Sequence, residues 1–574
     1  MKNSRFVLYA LSCIAVFCTL FALTSFDIID ISGKENEKYF LNTAFVANAQ
    51  ETVGEISPLK TENNHTSVFK THKKDFLASK DQVKTYEFSV SKRGVISYSL
   101  AHPASFDLGG WYVRLYAEYF VNGSDGEVAY RLINTLQTDS SKELSTSANI
   151  GVMPGKYRLV VSSGEKYNAS DYELNCTFDA RTDYETEYND TLSRYTEIYS
   201  GIPMHGTSYY STDTTDVDCF MFRVDYPSYV NISFEHPKKD LVSVCWRLIL
   251  TDADGNEIFT KSSLYSQEKI ESGSIGLAPG AYFISVVTHV YYEAEYTLTL
   301  DKTVSEAFES EINDKAALAD GITFSSPVSG SCSDRSADVD KDWYTFTMSS
   351  DGYVNLNFSH TVEDKENTYD TWRISLYNEK NNLLYSKKIA YNTERLKSPS
   401  LGLAKGKYYV LIDNEGMRAS TDVYTLEATF VKSAKWETEP NNSSSSADKL
   451  TAGVAVNATM VEIGTDYDTD YFKLTLDKKQ NISLSLSHSK KTGNKEVFVF
   501  TLYDKDMKPV APQDKNGKYF YNVFDEIIYK MSNTLETEKT VAYYNALPAG
   551  TYYVKVTSGI YYSNMKYSLT YSIR

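Results

Sequence analysis

Two glutamates one residue apart, followed by a pair of amide or carboxylate side chains, occur three times in this 574-residue chain. The segments are YETEYND (184–190), FESEIND (308–314) and WETEPNN (436–442). In an extended backbone, residues two apart point to the same side, so Glu185 and Glu187 can converge on one point. Calcium takes about six to eight oxygen ligands, including carboxylates and amide carbonyls. The segments therefore suit a calcium site.

A second acidic pattern follows each of these segments at the start of an aromatic run. It reads DVDCFMF (216–222), DKDWYTF (340–346) and DTDYFKL (468–474). Glu185 lies 124 positions before Glu309, and Asp218 lies 124 positions before Asp342. Because the two patterns keep the same offset, we expect Asp216 and Asp218 to supply further ligands to the cation held by the first pattern.

The elements that must position these residues also repeat. A strand pattern ending in histidine occurs as VISYSLAHP (95–103), VNISFEHP (230–237), VNLNFSHT (354–361) and ISLSLSHS (482–489). Each repeat closes with a turn and a tyrosine-rich strand, as in APGAYFISV (278–286). Alternation of polar and apolar residues, with 47 Tyr and 27 Phe, favours strands over helices. The chain is predicted to be all-β, a string of tandem β-sandwich modules with a jelly-roll-like topology.

The repeats predict four modules, each large enough to bury its own core. Their expected bounds are residues 60–180, 181–302, 303–432 and 433–574. The first module lacks the acidic pattern: counting back from Asp216 and Asp218 lands on Gln82 and Lys84, so no cation site is expected there. The fourth carries an insertion near Asp504 to Lys530, expected to form a long loop or an added hairpin.

The N-terminal 49 residues have the pattern of an export segment. Lys2 and Arg5 precede an apolar run from Phe6 to about Phe26. This run fits either a cleaved signal peptide or a hydrophobic helix retained as a membrane anchor. Either reading places the rest of the chain outside the cell, secreted or at the cell surface. A formal charge of −17 disfavours binding to nucleic acid.

The ordered set of ExExND, DxD followed by aromatics, and a closing PGxYxxxV resembles the bacterial pre-peptidase C-terminal domain family. These are β-sandwich modules appended to secreted peptidases, and the collagen-binding modules of clostridial collagenases are related to them. The resemblance covers the chain from about residue 182 to its end, and residues 60 to 178 through the later strands only.

In the related collagen-binding modules, the corresponding linker and strand start bind calcium. For the second module, the resemblance implies this role for Glu185, Glu187, Asn189, Asp190, Asp216 and Asp218. For the third, it implies Glu309, Glu311, Asn313, Asp314, Asp340 and Asp342. For the fourth, it implies Glu437, Glu439, Asn441, Asn442, Asp468 and Asp470. Asn442 replaces an aspartate, which predicts a lower calcium affinity in the fourth module. The alternative is that these acids only keep linkers soluble and cap edge strands.

Other candidate residues have simpler structural interpretations. DADGNE (252–257) resembles a calcium loop, but its place between two strands favours a hairpin turn. His102, His236, His360 and His488 each end an alternating strand, and Trp111, Trp246 and Trp372 share one strand position. Structural and core roles are expected for them. Cys219 and Cys245 leave open a disulfide or two buried free thiols.

No HExxH, GxSxG or P-loop motif occurs, and the repeats leave no room for a peptidase domain, so we do not expect an enzyme. The favoured function is binding of an extracellular protein or polysaccharide, with calcium stiffening the linkers. Exposed tyrosines of the last loops are the candidate contact residues: Tyr167, Tyr291, Tyr292, Tyr561 and Tyr562. The alternatives are a structural spacer or envelope protein without a ligand, and a secreted hydrolase or peptidase-associated protein whose site forms only in space.

Overall fold

The computed structural model describes residues 67–105, 109–120, 128–208, 216–289, 294–333, 335, 339–414, 416–418 and 420–574. The predicted signal or anchor segment, residues 1–49, lies outside this range, as do Tyr291 and Tyr292. No α-helix occurs among the described residues, where a short 3-10 helix spans Ala316–Leu318. Accordingly, no helix in this part of the chain has the length and apolar character needed to cross a membrane.

The first two modules each contain two β-sheets. In module 1 the strands are β1 (Ser67–Asp75), β2 (Val83–Val90), β3 (Gly94–Ala101), β4 (Trp111–Phe120), β5 (Val128–Gln137), β6 (Leu144–Thr146), β7 (Ile150–Val152), β8 (Gly155–Ser163) and β9 (Tyr172–Asp179). Its sheets have the orders β1-β9-β3-β6, with β7 also on β3, and β2-β8-β4-β5. In module 2 the strands are β10 (Thr196–Glu197), β11 (Met204–Thr207), β12 (Val217–Val224), β13 (Ser228–Glu235), β14 (Val244–Asp252), β15 (Glu257–Leu264), β16 (Lys269–Leu277), β17 (Gly280–Thr288) and β18 (Glu295–Val304). Its sheets are β10-β12-β17-β14-β15 and β11-β18-β13-β16.

Modules 3 and 4 repeat this arrangement. Module 3 contains β19 (Asp320–Gly321), β20 (Val328–Gly330), β21 (Lys341–Met348), β22 (Gly352–His360), β23 (Asp370–Asn378), β24 (Leu383–Ala390), β25 (Arg395–Lys397), β26 (Leu401–Leu403), β27 (Gly406–Asp413) and β28 (Tyr424–Lys432). Module 4 contains β29 (Asp448–Lys449), β30 (Val456–Thr459), β31 (Glu462–Ile463), β32 (Asp466–Tyr467), β33 (Thr469–Leu476), β34 (Gln480–His488), β35 (Glu496–Tyr503), β36 (Met531–Thr534), β37 (Lys539–Leu547), β38 (Gly550–Ser558) and β39 (Lys566–Ile573). The first module 3 sheet has the order β19-β21-β27-β23-β24 and continues into β31-β32 of module 4, and the second has the order β20-β28-β22-β25, with β26 on β22. The other module 4 sheets are β29-β33-β38-β35-β36 and β30-β39-β34-β37.

The core of each module lies between its two sheets. Strand β13 shows why: Val230, Ile232 and Phe234 are buried, whereas Asn231 and Ser233, on the opposite face, are partly exposed. Successive side chains point to opposite faces of a strand, so alternate residues are buried and one face of each strand lies in the core. Each module has its own buried hydrophobic cluster with residues from both sheets. The prediction of an all-β chain of sandwich-like modules is thus confirmed for the described residues.

The repeated histidines and tryptophans are core residues. Trp111, Trp246 and Trp372 are buried, and their rings lie 4.7, 4.9 and 4.5 Å from the ring centroids of His102, His236 and His360. In module 4, Phe498 takes the place of the tryptophan against His488. The Nδ1 atom of each histidine lies 2.9 to 3.1 Å from the carbonyl oxygen of the next residue. These contacts fit the expected structural role.

Two further sequence expectations concern loops and cysteines. Asp252 ends β14, and its Oδ1 accepts hydrogen bonds from the backbone N–H groups of Asp254 and Asn256, so DADGNE forms a hairpin turn. The insertion occupies residues 504–530 between β35 and β36, where the same Asx-type turn recurs at Asp504, Asp514 and Asn522.

The four cysteines of the described chain are buried free thiols, so Cys219 and Cys245 form no disulfide.

Candidate cation sites at the module junctions

The aromatic residue that opens each heptapeptide fixes the linker to its own module. Tyr184, Phe308 and Trp436 each form an isolated parallel bridge, to β11, β20 and β30 respectively. The ring of Phe308 lies 5.0 Å from that of Tyr229, and Trp436 lies 4.5 Å from Tyr353. Both partner rings belong to the preceding module, so the aromatic residue also helps to seat one module on the next.

The second glutamate of each heptapeptide forms a backbone hydrogen bond with the preceding module. Its backbone N–H donates to a glycine carbonyl: Glu187 to Gly151 at 2.9 Å, Glu311 to Gly276 at 3.0 Å and Glu439 to Gly402 at 3.0 Å. A Cβ on any of these glycines would meet the backbone carbonyl of the first glutamate of the pair. In module 4, Ala546 occupies the corresponding position, and its N–H donates to Asn481 instead. The glycines therefore permit a close approach of linker and module.

In modules 2, 3 and 4, a hydroxyl residue at the end of the second short strand, or just after it, completes the junction. The backbone N–H groups of Thr207, Ser331 and Thr459 donate to Oε1 of the first glutamate at 2.7, 2.6 and 2.8 Å. The hydroxyls of the same residues donate to backbone carbonyls of the preceding module, those of Asn149, Ser274 and Ser400. One residue thus orients the carboxylate and binds the neighbouring module.

Three carboxylates converge at each junction. The triads are Glu185, Glu187 and Asp218 in site 2; Glu309, Glu311 and Asp342 in site 3; and Glu437, Glu439 and Asp470 in site 4. In each triad, one oxygen atom from every carboxylate lies within 4.8 Å of the other two, and all three side chains are buried. The structure therefore brings together the two acidic patterns that the sequence places about 30 residues apart.

Among the residues that the structure describes, each site has the same three buried oxygen atoms without a hydrogen-bond donor. They are a carboxylate oxygen of the second glutamate, Oδ1 of the asparagine and Oδ1 of the second aspartate. In site 2 these belong to Glu187, Asn189 and Asp218; in site 3 to Glu311, Asn313 and Asp342; in site 4 to Glu439, Asn441 and Asp470. A buried oxygen without a partner costs about 1–3 kcal/mol, and more when charged. The same unpaired set recurs in all three sites, and carboxylate and amide oxygens of this kind are able to ligate a cation.

Hydrogen bonds from tyrosine and asparagine orient the remaining oxygens. Tyr296 donates to Asp218 at 2.6 Å and Tyr424 to Asp342 at 2.5 Å, and Tyr567 donates to Asp470. The asparagine Nδ2 groups lie 3.2 to 3.5 Å from the first glutamate, which turns each Oδ1 away from that carboxylate. These hydrogen bonds use Oδ2 of each aspartate and Nδ2 of each asparagine. Oδ1 of both residues is therefore available to act as a ligand.

Burial of several carboxylates together raises their pKa values. Burial, with the nearby carboxylates of Asp216 and Glu185, raises the pKa of Glu187 well above its ordinary value. Burial raises the pKa of Glu309 to about 8, with a further contribution from Asp340. In site 4, burial raises the pKa of Glu439 to about 7. Each site therefore favours a compensating positive charge.

The other predicted ligands lie at the rim or the base of the sites. Asp216, Asp340 and Asp468 are buried at the strand starts; Oδ2 of Asp340 accepts a backbone N–H at 2.5 Å, as Oδ1 of Asp468 does at 2.9 Å. Asp190 and Asp314 are partly buried, whereas Asn442 is exposed to solvent. Five of the six predicted oxygen-bearing residues of site 4 therefore lie in the buried part of the junction.

Sequence reasoning missed the residues that accept a hydrogen bond from the linker backbone between the two glutamates. Oδ2 of Asp320 and of Asp448 accept the backbone N–H between the two glutamates at 2.8 and 2.7 Å, and Oγ1 of Thr196 does so in module 2 at 3.0 Å. It also missed Tyr296, Tyr424 and Tyr567. The available signal was the constant repeat position of these residues, which distinguishes them from the other tyrosines.

Module 1 places a lysine where the other modules place a buried carboxylate. Val90 pairs with Gly155 as Val224 pairs with Gly280, so Lys84 holds the position of Asp218. The Nζ atom of Lys84 lies 3.1 Å from Oδ1 of Asp75. Module 1 therefore has an ammonium group at the repeat position at which module 2 has a carboxylate.

The predicted ligand-contact tyrosines have different environments. The hydroxyl of Tyr167 donates to the carbonyl of Leu77 at 2.6 Å, and that of Tyr562 donates to Met460 at 3.1 Å, so both are fixed within their own modules. Tyr561 is exposed, with Nζ of Lys495 at 4.4 Å from its ring centroid. Among the described candidates, Tyr561 has the exposure that a ligand contact requires.

A serine and a histidine do meet in module 2, but inside the core. Nε2 of His236 lies 2.6 Å from Oγ of Ser263, and Sγ of Cys245 lies 3.8 Å from the same nitrogen. All three residues are buried, and Nδ1 of His236 faces the carbonyl of Pro237. The pair is therefore enclosed in the core, and Nδ1 faces a backbone carbonyl where a catalytic triad would have a carboxylate.

The fold and site define an all-β, multi-module chain with a buried carboxylate cluster at each of three junctions. No protein-family model matches the chain, and no curated protein matches its sequence. A structure of the M60 catalytic domain with the CBM51-1 and CBM51-2 domains of Clostridium perfringens ZmpB aligns with 61% of this chain and 33% of that chain, at 8% identity and a TM-score of 0.14. The CBM22-1–CBM22-2 tandem of Paenibacillus barcinonensis Xyn10C aligns with 42% of this chain and 95% of that chain, at 10% identity and a TM-score of 0.14. Scores this low establish neither a common fold nor a common ligand.

Proposed function

We propose that sites 2, 3 and 4 bind divalent cations, with calcium as the natural ion, and that the bound ions stiffen an extracellular array of binding modules. The observation that carries this proposal is the set of unpaired buried oxygens, from the same three residue positions in all three sites. Linker solubility alone would require neither burial of the acids nor their convergence.

The donor chemistry fits calcium. The triads contain only oxygen donors, which hard cations prefer, and Ca²⁺–O distances of about 2.3–2.6 Å allow ligand oxygens to lie up to about 5 Å apart. The triad oxygens lie within 4.8 Å of one another. Irregular donor sets suit calcium better than magnesium, which requires a near-ideal octahedron.

The position of each site gives the cation a mechanical role. Glu185 is bonded through its backbone to His205 of its own module, whereas Glu187 is bonded to Gly151 of the preceding one. A cation held by both side chains would bind only the assembled junction and would stabilise it by mass action. Extracellular modules commonly bind calcium with dissociation constants of about 0.1–1 mM.

The array would present its outer surfaces to an extracellular protein or polysaccharide and would not itself be catalytic. Tyr561, exposed beside Lys495, is the proposed contact in module 4, since exposed aromatic rings stack on sugars and peptides. Weak contacts on several modules of a stiff array would combine into a higher avidity.

Calorimetry and thermal unfolding of the full chain test the cation role. We expect calcium to raise the melting temperature, EDTA to reverse the rise, and Glu185→Gln, Glu309→Gln and Glu437→Gln together to abolish it. Glu271→Gln, which changes an exposed glutamate of module 2, is the control. Absence of calcium binding at millimolar concentration would refute the proposal and favour linkers that are merely soluble. A calcium-loaded array that binds no glycan or matrix protein would instead be a spacer.

A further inference from the structure

Site 3 differs from the other two because an arginine reaches into its carboxylates. Nη2 of Arg335 lies 2.9 Å from Oε2 of Glu311 and 2.8 Å from Oδ1 of Asp340, and Nη1 lies 2.5 Å from Oδ2 of Asp314. The Arg335 side chain is itself only 8% exposed. Arg335 therefore engages three of the six residues predicted to bind the cation in module 3.

The same repeat position holds no basic residue in the other modules. The hydroxyl residue and the strand-start aspartate are nine positions apart in every site: Thr207 and Asp216, Ser331 and Asp340, Thr459 and Asp468. Arg335 therefore corresponds to Ser211 in module 2 and to Ile463 in module 4. Ile463 instead pairs with Ser386 of β24, and Oδ2 of Asp468 remains without a hydrogen-bond partner. The arginine is thus specific to site 3.

We propose that Arg335 is a resident counter-ion that makes site 3 the weakest of the three cation sites and keeps the junction between modules 2 and 3 assembled without a cation. This inference rests on the proposed cation binding at sites 2, 3 and 4. It adds that the junctions respond unequally: those of sites 2 and 4 require the ion, and that of site 3 has a substitute built into the chain.

The contacts explain how one side chain can substitute for an ion. Arginine donates in a planar fork, so its two terminal nitrogens can satisfy several carboxylate oxygens at once. Oε2 of Glu311 is occupied by this contact, which leaves Oε1 as the unpaired oxygen of that residue. A cation that enters site 3 would compete with the guanidinium group for Glu311 and Asp340 and would be repelled by its charge. Site 3 thus offers fewer oxygens and a less negative surrounding.

Terbium luminescence on the full chain tests this inference without any need for a known ligand. Tyr424 donates to Asp342 and Tyr344 donates to Glu309, so both rings lie where they can sensitise a lanthanide in site 3. In a background carrying Glu185→Gln and Glu437→Gln, only site 3 is intact. We expect Arg335→Gln to tighten terbium and calcium binding there at least tenfold, and Arg335→Lys, which keeps the charge, to tighten it less. Arg395→Gln, an arginine of the same module that is 82% exposed, should leave the affinity unchanged.

A second comparison does not depend on the folding of the arginine variants. Chains with only site 2 or only site 4 intact should bind calcium at least tenfold more tightly than the chain with only site 3 intact. Equal affinities of the three sites, or an Arg335→Gln variant that binds no more tightly than its parent, would overturn the role of Arg335. Loss of the proposed function would look different, because the parent chain would then bind no terbium or calcium at all.

Discussion

The backbone N–H of Glu187 donates to the carbonyl oxygen of Gly151 at 2.9 Å, so a glutamate of site 2 is held by the module that precedes the site. Glu185, two residues earlier, is held by His205 of the following module. The two carboxylates that converge on one point are therefore fixed from opposite sides of the junction. The site forms only where linker and preceding module meet, so cation binding, as proposed, would be linked to the order of the array.

This linkage predicts the effect of a methyl group at Gly151. A Cβ at this position would meet the backbone carbonyl oxygen of Glu185, so Gly151→Ala should displace the linker from β7. We expect calcium affinity at site 2 to fall about tenfold, equivalent to about 1.4 kcal/mol. Calorimetric titration of the chain in which Glu309→Gln and Glu437→Gln leave only site 2 measures this loss.

Gly321→Ala is the matched control, because a Cβ on Gly321 meets nothing within 4 Å. It should leave calcium affinity and melting temperature unchanged. An unaltered calcium affinity in Gly151→Ala, with the fold intact by circular dichroism, would show that the site forms without the contact between modules.

The tyrosine hydroxyls should contribute to stability more strongly in the absence of calcium than in its presence. Tyr296 donates to Asp218 at 2.6 Å and to Glu185 at 3.1 Å, and is buried. Tyr296→Phe removes both hydrogen bonds and should destabilise module 2 by about 1–3 kcal/mol in EDTA. A bound cation would partly compensate the buried carboxylates that lose the tyrosine hydrogen bonds, so the loss of stability should be smaller in saturating calcium. Urea unfolding of the chain under both conditions measures the difference.

Tyr226→Phe provides the comparison, since Tyr226 is 67% exposed. It should change the free energy of unfolding by less than about 0.5 kcal/mol under either condition. A Tyr296→Phe effect of equal size with and without calcium would contradict the assignment of Asp218 as a ligand.

The convergence of the acidic residues was predictable from the sequence, but the side chains that contact them were not. Glu185 and Asp218 repeat with a constant offset, which was sufficient to predict that they lie together. Tyr296 was hidden among 47 tyrosines, most of which suit any strand. Tyr296 lies on β18 and Asp218 on β12 of the other sheet, so their contact depends on the packing of two sheets, which local patterns do not encode.

The alternation of apolar and polar residues was likewise sufficient for the all-β fold but not for the junctions. Strand β13 shows its buried face directly in the sequence. Arg335, in contrast, lies in a loop, where an isolated charged residue is usually solvated. Its burial follows from the convergence of Glu311, Asp314 and Asp340, which arises only when linker and strand start are brought together.

A loop of module 4 contributes directly to the core of module 3. Val461 is 2% exposed and belongs to the hydrophobic cluster of module 3. Ile463, two residues later, pairs with Ser386 of β24. Val461→Ala should therefore destabilise module 3 by about 1–2 kcal/mol, as removal of buried methyl groups usually does. Hydrogen exchange resolved by mass spectrometry should show faster exchange in β24, although the altered residue belongs to module 4. Val454→Ala, at a site 42% exposed, should leave exchange in β24 unchanged.

Thiol labelling reports the calcium dependence of individual modules. Burial raises the pKa of Cys219 to about 11 and that of Cys176 to about 12, so both thiols stay protonated at pH 8 and should react at least a hundredfold more slowly than a free thiol. Cys219 adjoins Asp218 of site 2, whereas Cys176 lies in module 1, which has a lysine at the corresponding position. Labelling of such thiols proceeds through local opening, whose free energy falls when a stabilising ligand is removed. EDTA should therefore accelerate alkylation of Cys219 severalfold and leave Cys176 unchanged, as peptide mass spectrometry can measure. Equal acceleration at both cysteines would indicate that calcium acts on the chain as a whole rather than at the junction sites.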